Sequence, residues 1–132
     1  MPIEHLNPEG MHRNPAYSQA IIVPANARIL VVGGQNAVNE KGEIVGKGDI
    51  AAQTTKALDN LVTVLEAAGA GLDDLIRLGI YFRADADIRA GFGAWMARAG
   101  AMKNPPTVTG IQVAGLAHPD FLIEIEATAI LP

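Results

Sequence analysis

The segment Phe121–Ile130, with the sequence FLIEIEATAI, decides the fold more than any other part of the chain. It predicts a β-strand, because side chains along a strand point alternately to the two faces of a sheet. One face of this strand is apolar and consists of Phe121, Ile123, Ile125, Ala127 and Ala129. The other is mixed and consists of Leu122, Glu124, Glu126 and Thr128. We expect helices to cover the apolar face and the mixed face to be buried between subunits.

Two amphipathic segments can supply those helices. The first begins at Asp49, whose carboxylate can accept from free N–H groups of the first turn, and runs to about Ala68 before Gly69. Its apolar stripe follows three- and four-residue steps through Ala51, Thr54, Leu58, Leu61, Val62 and Leu65. The second, over residues 87–99, places Ile88, Phe92, Trp95, Met96 and Ala99 on one side. Trp95 and Met96 are expected in the core.

Four further segments are rich in β-forming residues: Tyr17–Val23, Arg28–Val32, Leu75–Phe82 and Thr107–Val113. Pro24–Ala27, between the first two, predicts a hairpin turn. Residues 1–14 are expected to form an arm or loop. Strands and helices in this order predict an α+β fold, in which residues 1–132 form a single domain with a mixed sheet and two helices on one face.

The composition favours a subunit of an oligomer. Hydrophobic residues make up 49% of the 132 residues and charged residues 18%, a high apolar share for a small domain. The longest apolar runs, such as Ala20–Val23 and Ile29–Val32, are far shorter than the roughly 20 residues that span a bilayer. Because residues 1–10 are polar and contain two prolines, no secretory signal is expected. We expect a cytoplasmic protein that does not bind membranes.

Several kinds of chemistry are disfavoured by residue counts and spacing. The chain has no cysteine, and its three histidines lie far apart, so neither a disulfide nor a metal site is expected. The net charge of −4 argues against nucleic-acid binding. Residues 46–51 fit a Gly-x-Gly-x-x-Ala phosphate motif, but a charged loop precedes them and a helix follows, so they predict a loop with a helix cap.

Three polar features are candidates for a site, and local sequence leaves two interpretations of each. Gly33-Gly34-Gln35 can let a ligand approach the backbone closely, or form a bulge. Glu124 and Glu126 can serve acid–base chemistry, or be solvated or ion-paired. Tyr17, at a strand start, can pack its ring or present its hydroxyl group to a ligand.

Taken together, these stretches resemble the reactive-intermediate deaminase family, RidA, also called YjgF. The resemblance also covers Asp49–Thr54 and residues 60–69. It implies a homotrimer whose sheets enclose a chorismate-mutase-like barrel, with a cleft between subunits. In that cleft, cofactor-independent hydrolysis would convert enamines and imines to keto compounds and ammonia.

The resemblance also implies roles for individual residues. Tyr17 would line the cleft wall, Gly34 and Gln35 would contact the substrate through backbone groups, and Glu124 would be linked to the attacking water. Glu126 would be structural, with an arginine as a partner. The name ribonuclease is also attached to this family, but the chain has no basic groove and no histidine pair suited to RNA cleavage.

One position departs from the family pattern. Family deaminases carry an arginine two residues after the proline that opens the penultimate strand, and counting from Pro106 places Val108 there. Valine cannot fork onto a substrate carboxylate as arginine does, so Val108 is expected to alter specificity. Arg83, Arg89 and Arg98 could supply a cation instead. The sequence leaves two functions open: an enamine or imine deaminase of altered specificity, or a non-catalytic trimer that binds a small regulatory molecule.

Overall fold

The computed structural model describes residues 3–100 and 102–132. Their strands are β1 (Glu4–Leu6), β2 (Ala20–Ile22), β3 (Ile29–Gln35), β4 (Leu75–Arg83), β5 (Thr107–Val113) and β6 (Ile123–Ile130). Their helices are α1 (Ile50–Ala67), α2 (Ile88–Ala99) and a short 3₁₀ turn, Leu72–Asp74. None of the helices in these two ranges is long and apolar enough to cross a membrane.

The main sheet has the strand order β3-β6-β4-β5 and is mixed, as predicted. The last strand, β6, runs antiparallel to both β3 and β4, whereas β4 and β5 are parallel. Parallel neighbours require a crossover connection, and α2 provides it. Because β6 lies between β3 and β4, its side chains occupy the middle of both faces of the sheet.

Helix α1 covers one face of β6. The Asp49 carboxylate accepts a hydrogen bond from the Ala52 N–H at 3.1 Å, which confirms the predicted cap. Burial in α1 includes the predicted Thr54, Leu58, Leu61 and Leu65, and also Ile50, Gln53 and Ala57. The predicted stripe residues Ala51 and Val62 are only half-buried. On the facing strand, Ile123, Ile125, Ala127 and Ala129 are each at most 2% exposed, as their alternation predicted.

Helix α2 is less buried than its apolar side predicted. Met96 is 38% exposed, so its expected place in the core is wrong, and Phe92 is 52% exposed. Trp95 packs against the core while remaining partly exposed. The reason is that α2 packs closely against α1 at Gly91, the one α2 residue that is buried, and leaves a cavity beneath its other residues.

The predicted hairpin at Pro24–Ala27 is wrong. Strand β2 pairs with β1, inside the expected N-terminal arm, and β3 pairs with β6. Strand β3 finds its partner about 100 residues away, and a local turn pattern carries no information about that partner. The buried Ser18 then ties the N-terminal region to the start of β5, because its N–H donates to the Pro106 carbonyl at 2.9 Å.

None of the helices in the described part of the chain covers the second face of the sheet. Glu124, Glu126 and Thr128 are half-buried there, and Val31 on β3 is 77% exposed. Leu122 was expected on this face, but it lies in the core at 8% exposure. The strand begins only at Ile123, so its alternation does not extend to Leu122. We call the side of the sheet that carries Glu124 the open face.

Candidate functional site

Glu124 lies over Gly34 on the open face. A Cβ atom at Gly34 would lie 2.7 Å from the Cδ of Glu124, closer than real Cβ contacts. The register between β3 and β6 shifts between Val32 and Gln35, so a bulge is also present. The bulge interpretation of the glycine pair is confirmed. The group that lies close to the Gly34 backbone in the single chain is the Glu124 side chain.

Asn36 holds the Glu124 carboxylate. Its Nδ2 donates to Glu124 Oε1 and to the Ile123 carbonyl, both at 3.2 Å. The Asn36 carbonyl accepts in turn from Asn60 Nδ2 on α1 at 3.0 Å, and the same amide donates to the Val38 carbonyl at 2.9 Å. A connected set of hydrogen bonds thus runs from α1 to the carboxylate. Sequence reasoning assigned neither asparagine a role, although asparagine is a poor former of helix interiors and Asn60 lies within one.

Glu126, two residues along β6, is bound by two neighbouring side chains through one of its carboxylate oxygens. Tyr81 donates its phenol hydrogen to Glu126 Oε1 at 2.6 Å, and Arg77 Nη1 lies 3.3 Å from the same oxygen. The hydrogen bond from Tyr81 is the main cause that lowers the pKa of Glu126, and the same bond raises the pKa of Tyr81. The expected arginine partner is confirmed. Arg77 and Tyr81 are four residues apart on β4, and residues at an even spacing along a strand lie on the same face of a sheet. This spacing was the signal in the sequence that the two side chains share a face.

Tyr17 and Val108 line a different space, on the face of the sheet that carries the helices. Val108 on β5 pairs with the buried Leu78 on β4, and it packs against the core. Both Tyr17 and Val108 border a cavity of about 320 Å³ between α2 and the sheet. We call this space the α2 cavity. Among residues 3–100 and 102–132, none that lines it is charged.

None of the three candidate arginines lines the α2 cavity. Arg83 pairs with Asp85, with its Nε 2.9 Å from Oδ1, and Arg98 pairs with Asp59 at 3.1 Å. Arg89 is exposed on α2. Within one subunit, these three side chains therefore do not supply a cation to the α2 cavity.

The predicted site residues accordingly form two groups. Gly34 and Glu124 meet on the open face, next to Gln35, whose Nε2 donates to the Gly33 carbonyl at 3.1 Å. Tyr17 and Val108 meet at the α2 cavity. The sheet separates the two groups. In residues 3–100 and 102–132, no cluster of three or more His, Asp and Glu side chains could hold a metal ion.

The sheet is mixed and four-stranded, and two helices cover one of its faces. The strand β6, inside the sheet, carries two glutamates on the other face. This arrangement defines a YjgF-like α+β domain. Residues 11–131 match the sequence model of the family described as Endoribonuclease L-PSP. The chain belongs to this family, also known as RidA or YjgF.

Relatives and solved structures agree with this assignment. The chain is 39% identical over 114 residues to a RutC family protein of Pyrococcus horikoshii, covering 86% of this chain and 85% of that protein. It is 32% identical over 106 residues to the 2-iminobutanoate/2-iminopropanoate deaminase of Escherichia coli, covering 77% and 79%. A crystal structure of a Rid-family protein of unknown function from Yersinia pestis has a TM-score of 0.80 and 36% identity, covering 99% of this chain and all of that one.

Proposed function

We propose that this protein is a homotrimer that hydrolyses small enamines or imines to keto compounds and ammonia. In this proposal the open face of one subunit, with Gly34, Gln35 and Glu124, meets the Tyr17 and Val108 group of the next subunit. The single chain keeps these groups on opposite faces of its sheet, so a complete site needs a second copy. The deaminase of Escherichia coli, by its name, acts on two imines, which supports the substrate class.

The observation that carries the proposal is the contrast between the two glutamates of β6. Glu126 is bound by Tyr81 and Arg77, whereas Asn36 is the side chain that donates to Glu124. Among the described residues, no cation pairs with Glu124. A positioned carboxylate without a cation can accept a proton from water and act as a general base.

The proposed reaction needs no cofactor. A water held by the Glu124 carboxylate adds its oxygen to the carbon of the C=N bond and gives a proton to the carboxylate. That proton passes to the nitrogen and gives a carbinolamine. The proton of its hydroxyl group then also moves to the nitrogen, the C–N bond breaks, and ammonia leaves as the carbonyl forms. An enamine enters the same route once it has taken a proton on carbon to become the imine.

Val108 would set the substrate preference. An arginine fork supplies two charge-assisted hydrogen bonds of about 1.5–3 kcal/mol each. Their loss weakens binding of a substrate carboxylate by factors of about 10² to 10⁴. With valine, and with no charged residue at the α2 cavity, we expect this protein to prefer imines that have an apolar substituent over small imino acids.

The test is imine hydrolysis with matched variants. A pyridoxal-phosphate dehydratase or an amino-acid oxidase generates the imine, and release of the keto compound and ammonia is followed with and without the protein. Glu124→Gln should lower the acceleration by at least about 100-fold. Glu126→Gln, on the same strand face, should retain most of it. No acceleration by the wild-type protein on any imine would refute the proposal, and equal losses in the two variants would refute the role of Glu124.

A second function, binding without turnover, is favoured by one observation, the uncharged lining of the α2 cavity beside Tyr17 and Val108. A regulatory trimer would bind a small molecule there and leave it unchanged. Thermal unfolding with a panel of metabolites distinguishes the two, because a ligand at 100 times its Kd adds about 2.7 kcal/mol of stability. Stabilisation without ammonia release would favour the binding protein.

A further inference from the structure

Thr54 lines the α2 cavity, and among the described residues its buried hydroxyl group has no hydrogen-bond partner. Thr54 on α1 is 2% exposed, and among the described residues its Oγ1 is the buried side-chain polar atom left without a partner. Two other threonines of α1 behave differently. Thr55 and Thr63 donate to the carbonyls of Ala51 and Asp59, at 3.1 and 2.9 Å. A buried polar group is normally paired, so the exception at Thr54 indicates a missing partner.

The surroundings of this hydroxyl group are apolar and roomy. Leu78, Ile80, Ile125 and Trp95 line the cavity, whose volume is about 320 Å³. A cavity of about 150 Å³ with similar walls is large enough for benzene, so this one has room for a ring with a substituent. A charged group would lose its hydration here without gaining a counter-ion, which is costly.

Helix α2 forms one wall of the cavity. Phe92 on this helix borders the cavity and is 52% exposed. Gly91 packs against Thr54, since a Cβ atom at that position would lie 3.3 Å from Thr54 Oγ1. Gly91 therefore covers the hydroxyl group from the side of α2.

We propose that the α2 cavity binds the uncharged, mainly apolar part of the ligand, and that the Thr54 hydroxyl group is its hydrogen-bonding anchor. This inference rests on the proposed function, in which Tyr17 and Val108 border the substrate. It assigns the substrate to imines or enamines whose substituent is a ring or branched chain with one neutral polar atom.

The test measures binding alone, with cyclohexanol as the probe. Trp95 is the one tryptophan of the chain and lines the cavity, so its fluorescence reports occupancy. Cyclohexanol should change this fluorescence saturably. Cyclohexanecarboxylate, which matches it in size but carries a charge, should bind at least about tenfold more weakly.

Two threonine variants, and a third variant that fills part of the cavity, show where cyclohexanol binds. Thr54→Val keeps the shape but removes the hydroxyl group, and should weaken cyclohexanol binding about 2- to 12-fold. Thr55→Val, whose hydroxyl group is exposed, should bind like the wild type. Gly110→Val adds a side chain at the cavity wall, where a Cβ atom would meet the Phe82 ring at 3.9 Å. This variant should abolish the fluorescence change.

The outcomes separate this inference from the proposed function. No saturable change of Trp95 fluorescence, or equal affinities in wild type and Thr54→Val, would overturn the inference. If Thr54→Val does not fold, an undiminished response in Gly110→Val overturns it instead. If the protein binds cyclohexanol at Thr54 but hydrolyses no imine, only the proposed catalytic function is refuted. If it hydrolyses imines but does not bind cyclohexanol, only the proposed role of the α2 cavity is refuted.

Discussion

Replacing Gly34 with alanine tests how the position of the Glu124 carboxylate is set. The new Cβ atom would overlap Glu124 Oε2 and lie 2.7 Å from Cδ, whereas ordinary van der Waals contacts begin at 3.4 Å, so the carboxyl group must move by at least about 0.7 Å. The hydrogen bond from Asn36 Nδ2, now 3.2 Å long, cannot keep its geometry. Misplacement of a reacting group by about 1 Å can cost about 10²-fold in rate. We expect Gly34→Ala to lower kcat/KM for imine hydrolysis by about 10- to 100-fold.

The neighbouring glycine provides the matched control. A Cβ atom at Gly33 would meet no atom within 4 Å, and neither glycine has a positive φ, so alanine fits the backbone at both positions. Gly33→Ala should keep wild-type activity and gain about 0.4–1 kcal/mol of stability from the restricted unfolded chain. The free energy of unfolding of Gly34→Ala should lie within about 1 kcal/mol of the wild-type value, because the new methyl group displaces only the end of the flexible Glu124 side chain.

Release of ammonia and keto compound measures the activity, and urea unfolding measures the stability. Wild-type rates in both variants would show that hydrolysis does not depend on where Glu124 lies. Equal losses in both would assign the effect to the backbone of the bulge and not to the carboxylate. Either result would refute the reasoning.

Three further predictions concern pH, a buried amide and assembly. The lowered pKa of Glu126 means that its bond to Tyr81 stabilises the protein above the ordinary glutamate pKa of about 4.3, and that this contribution is lost as pH falls through the lower folded value. Tyr81→Phe should therefore unfold at a lower urea concentration than the wild type at pH 7. This difference in the urea midpoint should shrink below about pH 4, and a difference that does not change with pH would contradict the prediction. Gln53, fully buried, accepts from the Leu122 N–H at 2.9 Å, so Gln53→Met should cost about 2–4 kcal/mol in urea unfolding, and a loss below 1 kcal/mol would show that the bond is dispensable. Light scattering should give about three times the 13.8 kDa chain mass. Val31→Asp should reduce this measured mass, because a contact between subunits at this face would bury the new charge. Its far-ultraviolet circular dichroism should stay unchanged. A wild-type monomer would refute both the trimer and the shared site.

Features that depend on near neighbours were predictable. The cap at Asp49 and the end of α1 before Gly69 follow from which groups can satisfy helix termini. The buried side of β6 follows from alternation along a single strand. The family resemblance, confirmed by the match over residues 11–131, supplied the overall fold.

Features that depend on distant partners were not predictable from the same patterns. The hairpin at Pro24–Ala27 was wrong because β3 pairs with β6. Met96 lies at an apolar position of α2, but its burial depends on how close that helix comes to the sheet. The link from Asn60 through Asn36 to Glu124 joins a helix, a loop and a strand.

The sequence by itself determined which segments form the two helices and the four strands of the main sheet, and which side of β6 is apolar, since these are properties of adjacent residues. The tertiary structure alone decided that Glu126 is bound by Tyr81 and Arg77 while Glu124 is held by Asn36. It also placed Tyr17 and Val108 across the sheet from Glu124 and left the Thr54 hydroxyl group without a partner. The physical reason is that hydrogen bonds and burial act between atoms that the fold brings together, and Asn36 and Glu124, which meet at this site, are 88 positions apart in the chain.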